Sequence, residues 1–304
     1  MTVWVTGAAG MLGQEVVRQL EAAAGTTVIA TDREVDITST DAVAAFWNDQ
    51  GSIDWIVNCA AWTAVDAAEE NEDSARRLNV DGPRVLAEAA ADRVAAMVHI
   101  STDYVFSGDG TRPYLPDDPT DPRSVYGRTK RDGEDAVRAA LERHVILRTA
   151  WLYGPGGKNF VATMLRLMNE RDEIGVVADQ FGLPTYAPHL AAAIARIVSR
   201  PADTAGPAWG TYHFTNAPGP GEETSGISWH TFAATIHDRG RATGAVQGGC
   251  TINALTTAEY PTAAARPAYS VLDCASTVET FGVKRPAWRD GLSEFVRVVS
   301  SPND

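Results

Sequence analysis

The chain has 304 residues, which is enough for one large core or for a full domain with a smaller partner. Hydrophobic residues make up 44% and charged residues 21% of the sequence, as in an ordinary globular protein, so the composition argues against disorder. The formal net charge of −13 argues against nucleic acid or an anionic membrane as a partner, because neutralising phosphates needs clustered Lys and Arg. With no leader-like N-terminus and no long apolar run, we expect a soluble cytoplasmic protein.

The first predicted elements form a strand, a glycine turn and a helix. A β-branched run at Thr2–Thr6 is followed by Gly7-x-x-Gly10-x-x-Gly13 and then by a helical pattern at Gln14–Ala23. Glycine lets the backbone approach a pyrophosphate closely, and the N-terminus of the following helix offers free N–H groups and the positive end of its dipole. The spacing differs from the commonest fingerprint but predicts a dinucleotide-binding unit.

The second strand, Thr27–Thr31, ends in an acid followed by a base. Asp32 suits the two hydroxyls of an adenosine ribose, whereas Arg33 suits a 2′-phosphate, so the two residues favour different cofactors. We expect NADPH or NADH to be used. Asp36 and Ile37 follow where a carboxylate and an apolar side chain border the adenine.

Strands and helices continue to alternate along the first half of the chain. A helix is predicted at Asp41–Asn48, a buried strand at Ile53–Cys59, a long helix at about 67–91 and a fourth strand at Met97–Ile100. Small residues after the third strand would let a cofactor lie close to its carboxyl end. The alternation predicts an α/β fold with a Rossmann-type, doubly wound parallel sheet.

The stretch from Ser101 to Lys130 carries the chemistry. The fourth strand delivers Thr102 at its tip, and Tyr126 and Lys130 are four residues apart, which places a phenol and an ammonium on one helical face. A cation beside a phenol lowers its pKa from about 10 and makes it a better proton donor. Such pairs are frequent by chance, so the interpretation of this pair as catalytic depends on the strand and glycine loop that precede it.

The chain is expected to leave the first domain after a strand at Val145–Thr149, where a loop rich in Gly and Pro begins. We predict an NAD(P)-binding domain at 1–150 and a smaller, interleaved substrate-binding domain at 151–304, with a return to the first domain at about 184–245. Helices are predicted at 160–170, 188–198 and 229–239, and a loop-rich segment with one strand at 201–226.

The three cysteines, Cys59, Cys250 and Cys274, have no Cys-x-x-Cys spacing. This pattern predicts neither a disulfide framework nor a zinc site, so we expect free thiols and assign no metal-binding residues.

Together these motifs resemble an extended short-chain dehydrogenase/reductase. The match narrows to the dTDP-4-dehydrorhamnose reductase family, in the nucleotide-sugar branch, and runs from residue 2 to about 295. The segments that carry it are NCAAWTAVDAAE, STDYVFSG, SVYGRTK, RTAWLYGPGGKNFV, VVADQFGLPTYAPHLA and RPAYSVLD.

The resemblance implies a role for each matching residue. Tyr126 would protonate the sugar C4 oxygen, Lys130 would assist it and hold the nicotinamide ribose, and Thr102 would hydrogen-bond the reacting oxygen. The implied cofactor contacts are Gly7, Gly10, Met11, Leu12, Asp32, Arg33, Asp36, Ile37, Ala60, Ala61, Thr63, Tyr126 and Lys130. The implied contacts to a dTDP-sugar are Val65, Thr102, Asp103, Tyr104, Trp151, Gln180 and Thr185. A homodimer is a further implication.

Two alternatives stay open at this point. A reductase of a related sugar in antibiotic synthesis, of the dTDP-dihydrostreptose type, would share every motif. A non-catalytic NAD(P)-binding subunit, such as the regulatory subunit of methionine adenosyltransferase, would share the fold. A dehydratase is disfavoured, because related dehydratases carry an Asp-Glu pair after the Thr whereas Asp103 and Tyr104 follow Thr102 here.

Overall fold

The computed structural model describes residues 1–199 and 209–300, so residues 201–208 of the predicted loop segment lie outside the described residues. The strands are β1 Thr2–Thr6, β2 Thr27–Thr31, β3 Trp55–Asn58, β4 Ala96–Thr102, β5 His144–Thr149, β6 Leu152–Tyr153, β7 Glu173–Val177, β8 Phe181–Gly182, β9 Thr185–Tyr186, β10 Gly210–His213, β11 Ile227–Ser228 and β12 Thr251–Leu255. The α-helices are α1 Met11–Glu21, α2 Thr40–Gln50, α3 Val65–Glu70, α4 Glu72–Arg76, α5 Gly82–Asp92, α6 Val125–Ala140, α7 Phe160–Glu170, α8 Ala187–Val198, α9 Trp229–Thr243, α10 Ala275–Phe281 and α11 Trp288–Ser300.

Six strands form a parallel sheet in the order β10-β5-β4-β3-β1-β2. Successive side chains of β1 point to opposite faces: Val3 and Val5 join a core with α1 and α8, and Trp4 joins a core with α2 and α5. Both faces of the sheet are therefore buried under helices, which explains the unbroken apolar character of its strands. The predicted Rossmann-type, doubly wound fold is confirmed.

A further hydrophobic core lies outside this sheet. It is built around Phe232, Trp288 and Phe295 and draws on α7, α9 and α11. Within the predicted return at about 184–245, α8 and β10 join the large sheet and its core, whereas α9 packs in this further core. The domain boundaries themselves stay a prediction.

Several predicted elements differ from the observed ones. Helix α1 begins at Met11 and not at Gln14, because extended Gly10 serves as its N-cap. The predicted helix at about 67–91 is wrong as a single element: it is divided into α3, α4, a π-helical turn at Arg77–Asp81, and α5. The π-turn contains Asn79, whose carbonyl oxygen would lie 2.0 Å from a Cβ at position 133. Strand β12 and helices α10 and α11 were not predicted.

Across the described ranges, no helix is both long and apolar enough to cross a membrane.

Candidate active site

Two adjoining clefts open at the carboxyl ends of the parallel strands. The first cleft, of about 670 Å³, is bordered by the glycine loop and by the residues after β2 and β3. The second cleft, of about 640 Å³, is bordered by the start of α1, the tips of β4 and β5, and α6. Gly10, Cys59 and Ala61 border both clefts, so the two form one continuous groove. This is the edge at which doubly wound sheets bind ligands.

The glycine loop is shaped by close backbone contacts. Gly7 has a φ of +68°, and a Cβ there would lie 2.6 Å from the backbone nitrogen of Ala60. A Cβ at Gly13 would lie 2.1 Å from the carbonyl oxygen of Gly7. Both positions need glycine, and the loop leads directly into the N-terminus of α1, where an anionic group finds free N–H donors. The residues present therefore fit a dinucleotide pyrophosphate.

The acid and the base after β2 both border the first cleft. Arg33 is exposed and Asp32 is half-buried. Asp36 accepts hydrogen bonds from Thr38 and from Arg77, and the bonds from Thr38 hold the pKa of its carboxyl below the ordinary value. Both Asp32 and Arg33 therefore lie at the position that discriminates NADH from NADPH.

The proposed acid lies in the second cleft at the start of α6. Ser124 caps this helix by accepting a hydrogen bond from Gly127 N, and Tyr126 and Lys130 follow on one face. A Cβ at Gly127 would lie 2.2 Å from the carbonyl oxygen of Tyr104, so glycine lets α6 lie directly against the segment after β4. Thr102 ends β4 and borders the same cleft.

Lys130 is held by the strand opposite its helix. Its Nζ atom donates to the carbonyl oxygen of Ile100 at 2.8 Å, and the residue is 2% exposed. Burial lowers the pKa of this lysine to about 8, against the opposing influence of the Glu134 charge. The ammonium is thus fixed one turn behind Tyr126.

The sequence predicts a Tyr126 pKa below the ordinary phenol value, whereas in the protein alone the pKa lies above that value. Burial raises the pKa of Tyr126 to about 12; the Thr102 hydroxyl opposes this rise, and the charge of Asp103 adds to it. Loss of hydration disfavours the phenolate more than the constrained ammonium favours it. Tyr126 consequently holds its proton firmly at neutral pH.

Asp103 is a buried carboxyl at the edge of the second cleft. Its Oδ1 atom accepts a hydrogen bond from Thr102 Oγ1 at 3.0 Å, and Oδ2 has no partner among the described residues. Burial raises the pKa of Asp103 to about 6, although the nearby hydroxyls of Ser270 and Thr102 oppose the rise. The bond fixes the Thr102 side chain.

The structure brings most of the predicted site residues together. The first cleft is lined by Gly7, Gly10, Asp32, Arg33, Asp36, Ile37, Ala60 and Ala61. The second is lined by Met11, Leu12, Thr63, Val65, Thr102, Asp103, Tyr104, Tyr126, Lys130 and Trp151.

Gln180 and Thr185 are not among the residues that line either cleft. Gln180 donates to Thr257 Oγ1 at 3.1 Å, and fully buried Thr185 pairs with Thr149 Oγ1 at 3.1 Å. Thr185 thus lies behind the wall that Thr149 forms, and its predicted contact with substrate is not available in this arrangement.

The second cleft also contains residues that the motifs did not indicate. Trp229 stacks on Trp151, with ring centroids 3.5 Å apart and planes 9° from parallel. Lys158 borders the cleft beside Gly156 and Gly157 and has no hydrogen bond or ion pair within the part of the chain that the structure describes. The Gly-Gly-Lys sequence in a loop after a strand is a signal that could have indicated Lys158, whereas nothing local indicates Trp229.

The described residues hold no group of three or more His, Cys, Asp or Glu side chains arranged to bind a metal ion.

The arrangement defines a class of protein. A groove for a dinucleotide leads past a glycine loop to a cleft in which two hydroxyls, from Thr102 and Tyr126, and one ammonium lie together. With the doubly wound parallel sheet, this is an oxidoreductase of the extended short-chain dehydrogenase/reductase class.

Comparison with known proteins narrows the class to a family. The chain belongs to the RmlD substrate binding domain family, whose model matches residues 1–301. A dTDP-4-dehydrorhamnose reductase of Streptomyces griseus is 44% identical over 294 residues, which cover 95% of this chain and 91% of that protein. The resemblance inferred from the motifs is confirmed.

Two further similarities bear on the ligands. The probable dTDP-4,6-dihydroxy-2-methyloxan-3-one 4-ketoreductase of Streptomyces antibioticus is 42% identical over 297 residues, covering 95% of this chain and 92% of that protein. The crystal structure of dTDP-4-dehydrorhamnose reductase from Bacillus anthracis str. Ames in complex with NADP has a TM-score of 0.86 and 34% identity, covering 98% of this chain and 99% of that chain.

Proposed function

We propose that the protein uses NADPH or NADH to reduce the C4 ketone of a dTDP-4-keto-6-deoxy sugar, converting dTDP-4-dehydrorhamnose to dTDP-L-rhamnose. The observation that carries the proposal is the convergence of Thr102, Tyr126 and Lys130 in one cleft, beside the glycine loop. A relative with 44% identity bears the corresponding reductase name, and another relative was solved in complex with NADP.

The reaction moves negative charge onto one carbonyl oxygen, and the cleft offers two hydroxyl donors for it. When bound, the nicotinamide cofactor supplies the hydride. Tyr126 gives its phenolic proton to the developing alkoxide. Thr102 donates its single hydroxyl proton to Asp103 in the protein alone and redirects that proton to the carbonyl oxygen once the substrate is bound. Because the pKa of Tyr126 is raised to about 12, the phenol is fully protonated at neutral pH.

Lys130 acts after the proton has left. The phenolate formed on Tyr126 is a buried anion, and the ammonium one helical turn away stabilises it until a proton returns from solvent. Ile100 holds the ammonium with one backbone hydrogen bond, which leaves two of its three protons for the phenolate side and for the hydroxyls of a ribose. Lys130 therefore stabilises the phenolate of Tyr126 more than it stabilises the neutral phenol.

The rest of the second cleft suits a nucleotide sugar. The stacked indoles of Trp151 and Trp229 form a flat apolar wall, and Lys158, which has no ion pair among the described residues, suits a diphosphate. Val65, Asp103 and Tyr104 border the same space, so these residues are proposed substrate contacts. The smaller, interleaved domain at 151–304 would then supply part of the sugar-nucleotide pocket, and a homodimer stays a prediction of the resemblance.

A second candidate is a reductase of a related dTDP-keto sugar in antibiotic synthesis. The 42% identity to the probable 4-ketoreductase of Streptomyces antibioticus favours it. Both candidates use the same acid and differ only in the sugar. The regulatory-subunit alternative is disfavoured, because a protein without turnover has no need of Thr102, Tyr126 and Lys130 together.

The test is reduction of purified dTDP-4-dehydrorhamnose, followed as loss of the reduced-nicotinamide absorbance, with NMR identification of the product. A dTDP-4-keto sugar of different ring substitution serves as the competing substrate. Preference for the competitor would select the antibiotic-type reductase. No oxidation of either cofactor with either sugar, while cofactor binding is retained, would rule out the catalytic proposal.

A further inference from the structure

A buried cluster of charged side chains lies directly behind the proposed acid. Tyr126, Lys130, Glu134 and Arg138 follow one another at intervals of four along α6, so they share one face of the helix. The first two border the second cleft, Glu134 is 0% exposed, and the Arg138 side chain is 34% exposed at the far end. The helix therefore carries a line of charges from the catalytic phenol to solvent.

The Glu134 carboxylate accepts four hydrogen bonds. Oε1 accepts from Ser101 Oγ at 2.5 Å and from Arg148 Nε at 2.8 Å. Oε2 accepts from Arg148 and from Arg138, both at 2.7 Å. Burial works to raise the pKa of Glu134, but the bonds and charge of Arg148, with help from Ser101 and Arg138, bring it below the ordinary value. Glu134 is therefore an anion throughout the neutral range.

These contacts fix the tip of β4 against α6. Ile100 accepts a hydrogen bond from Lys130, and the next residue, Ser101, donates one to Glu134. Two consecutive residues of β4 are thus bound to two consecutive turns of α6. Thr102 is the next residue of the strand, so its distance from Tyr126 on the helix is set by this double attachment.

The titratable and charged groups around Lys130 lie on several neighbouring elements, and most of the titratable ones are neutral. Directly after β3 the Cys59 thiol has a pKa raised to about 12 by burial, and on β4 His99 has its pKa lowered well below the ordinary value, so both are neutral at pH 8. On β5 Arg148 carries a guanidinium charge. Glu134 is the anion whose charge favours the ammonium of Lys130.

Three further groups complete this environment. On β10 His213 borders Arg148, and burial lowers its pKa to about 3, so it stays neutral. On the cleft side Tyr126 is neutral, and Asp103, with a pKa of about 6, is ionised well before Lys130 loses its proton. At the pH at which Lys130 titrates, the negative charge of Glu134 offsets the positive charges of Arg138, Arg148 and Lys130.

We propose that Glu134 is a positioning residue for the reduction: its carboxylate keeps Lys130 as an ammonium and holds the Thr102 end of β4 against the Tyr126 face of α6. Glu134 has no place in the two clefts and touches no reacting atom. The inference rests on the proposed function for its kinetic consequence, but its electrostatic part concerns the protein alone.

The competing interpretation is that Glu134 and Arg148 form an ion pair that serves folding only. Breaking such a buried pair costs about 3–5 kcal/mol whether or not a catalytic group is nearby. Loss of stability or of turnover in a Glu134 variant therefore decides nothing. The deciding quantity is the pKa of Lys130, because a purely structural ion pair would leave that value in place once the variant is folded.

The sequence makes this pKa measurable. Lys130, Lys158 and Lys284 are the only lysines in the chain, so a protein labelled with 13C at the lysine ε-carbon gives three signals. Lys158→Met and Lys284→Met assign two of them by loss, and the third is Lys130. We expect the wild-type Lys130 signal to titrate with a midpoint near 8.

Two variants move this midpoint in opposite directions. Glu134→Gln keeps the side-chain shape but removes the anion, and we expect the Lys130 midpoint to fall by about one pH unit or more. Arg138→Gln removes a half-exposed cation that shares the same carboxylate, and we expect a smaller upward shift. Glu134→Asp keeps the negative charge and should restore a midpoint close to that of the wild type.

The kinetic readout follows from the same shifts. If Lys130 must be an ammonium during turnover, the alkaline limb of the kcat profile moves with its midpoint, to lower pH in Glu134→Gln and to higher pH in Arg138→Gln. Lowering the pH should then recover part of the lost rate in Glu134→Gln, which a misfolded site would not allow. Affinity for NADPH, measured by fluorescence, controls for cofactor binding.

The outcomes separate this inference from the proposed function. An unmoved Lys130 midpoint in folded Glu134→Gln overturns the inference, even if activity is lost. If Glu134→Gln does not fold, an unmoved midpoint in Arg138→Gln overturns it. If wild type reduces no dTDP-keto sugar while the midpoints shift as expected, the proposed function fails and the electrostatic role of Glu134 stands.

Discussion

Removal of one hydroxyl group, in Tyr126→Phe, tests the acid at the centre of the proposed reaction. The ring of Tyr126 packs edge-on against Tyr104, with centroids 5.5 Å apart, and phenylalanine keeps that contact. Thr102 keeps its hydrogen bond to Asp103 in the variant. We therefore expect a change in the free energy of unfolding of about 1 kcal/mol or less, the usual net value of one hydrogen bond.

The expected effect on turnover is much larger. Losing a general acid lowers the rate by roughly 10² to 10⁴, which corresponds to about 3 to 5 kcal/mol of transition-state stabilisation. With its proton redirected from Asp103 to the bound substrate, Thr102 still donates to the developing alkoxide, so the variant keeps part of its electrostatic stabilisation. The loss should fall on kcat, because the phenol acts only as charge develops.

The assay compares kcat, the affinity for NADPH and the unfolding midpoint in wild type and variant. Tyr104→Phe is the matched control: it removes a second phenol from the same cleft, one that the proposed mechanism does not use as an acid. Its effect should appear in the KM for the sugar nucleotide. A Tyr126→Phe enzyme that turns over at the wild-type rate would refute the assignment, since another group would then donate the proton.

Three further predictions concern the groove and the packing around it. Lys158→Ala should weaken binding of dTDP or of NADPH by roughly tenfold, the value of one charge-assisted hydrogen bond, while Lys284→Ala, which removes an exposed lysine, should leave both dissociation constants unchanged. Arg33→Ala should raise the KM for NADPH and leave that for NADH nearly unaltered, and an equal change in both would contradict a role in 2′-phosphate binding. Gly133→Ala should lower stability by about 1–3 kcal/mol, because the new Cβ would lie 2.0 Å from a backbone carbonyl oxygen of the neighbouring helix, whereas Gly249→Ala meets nothing within 4 Å and should melt like wild type.

Local patterns predicted the elements whose causes are local. Strand β1 and helix α7 have the expected bounds, because a β-branched run ends at a glycine in the first and Asn159 caps the second by accepting a hydrogen bond from Ala162 N. The glycine loop and the Tyr126 helix were equally readable. In each case the signal lies within a few residues of the feature that it predicts.

The features that the sequence did not predict depend on contacts between distant segments. The pKa of Tyr126 follows from burial, which no spacing of residues reveals. Trp151 and Trp229 are 78 positions apart in the sequence, and only packing brings their rings together. Likewise, Asn79 in the π-helical turn binds the distant residues Trp62 and Thr129 at once, through 2.8 Å and 3.1 Å hydrogen bonds.

Two glycines of α6 connect these distant contacts to the chemistry. Glycine inside a helix costs about 0.5–1 kcal/mol relative to alanine, so Gly127 and Gly133 need a reason to be there. Each faces a backbone carbonyl oxygen, 2.2 Å and 2.0 Å from where a Cβ would stand. The helix is thus pressed against the segment after β4 at one end and against the π-turn near its middle.

Lys130 lies between these two contacts and Tyr126 directly precedes the first, so neither side chain can shift without moving backbone on a neighbouring element. Small adjustments in the position of a proton donor change rates strongly, and a helix seated by backbone contacts limits such adjustments better than one seated by side chains alone. The stability given up at the two glycines is therefore the cost of a rigid position for the acid.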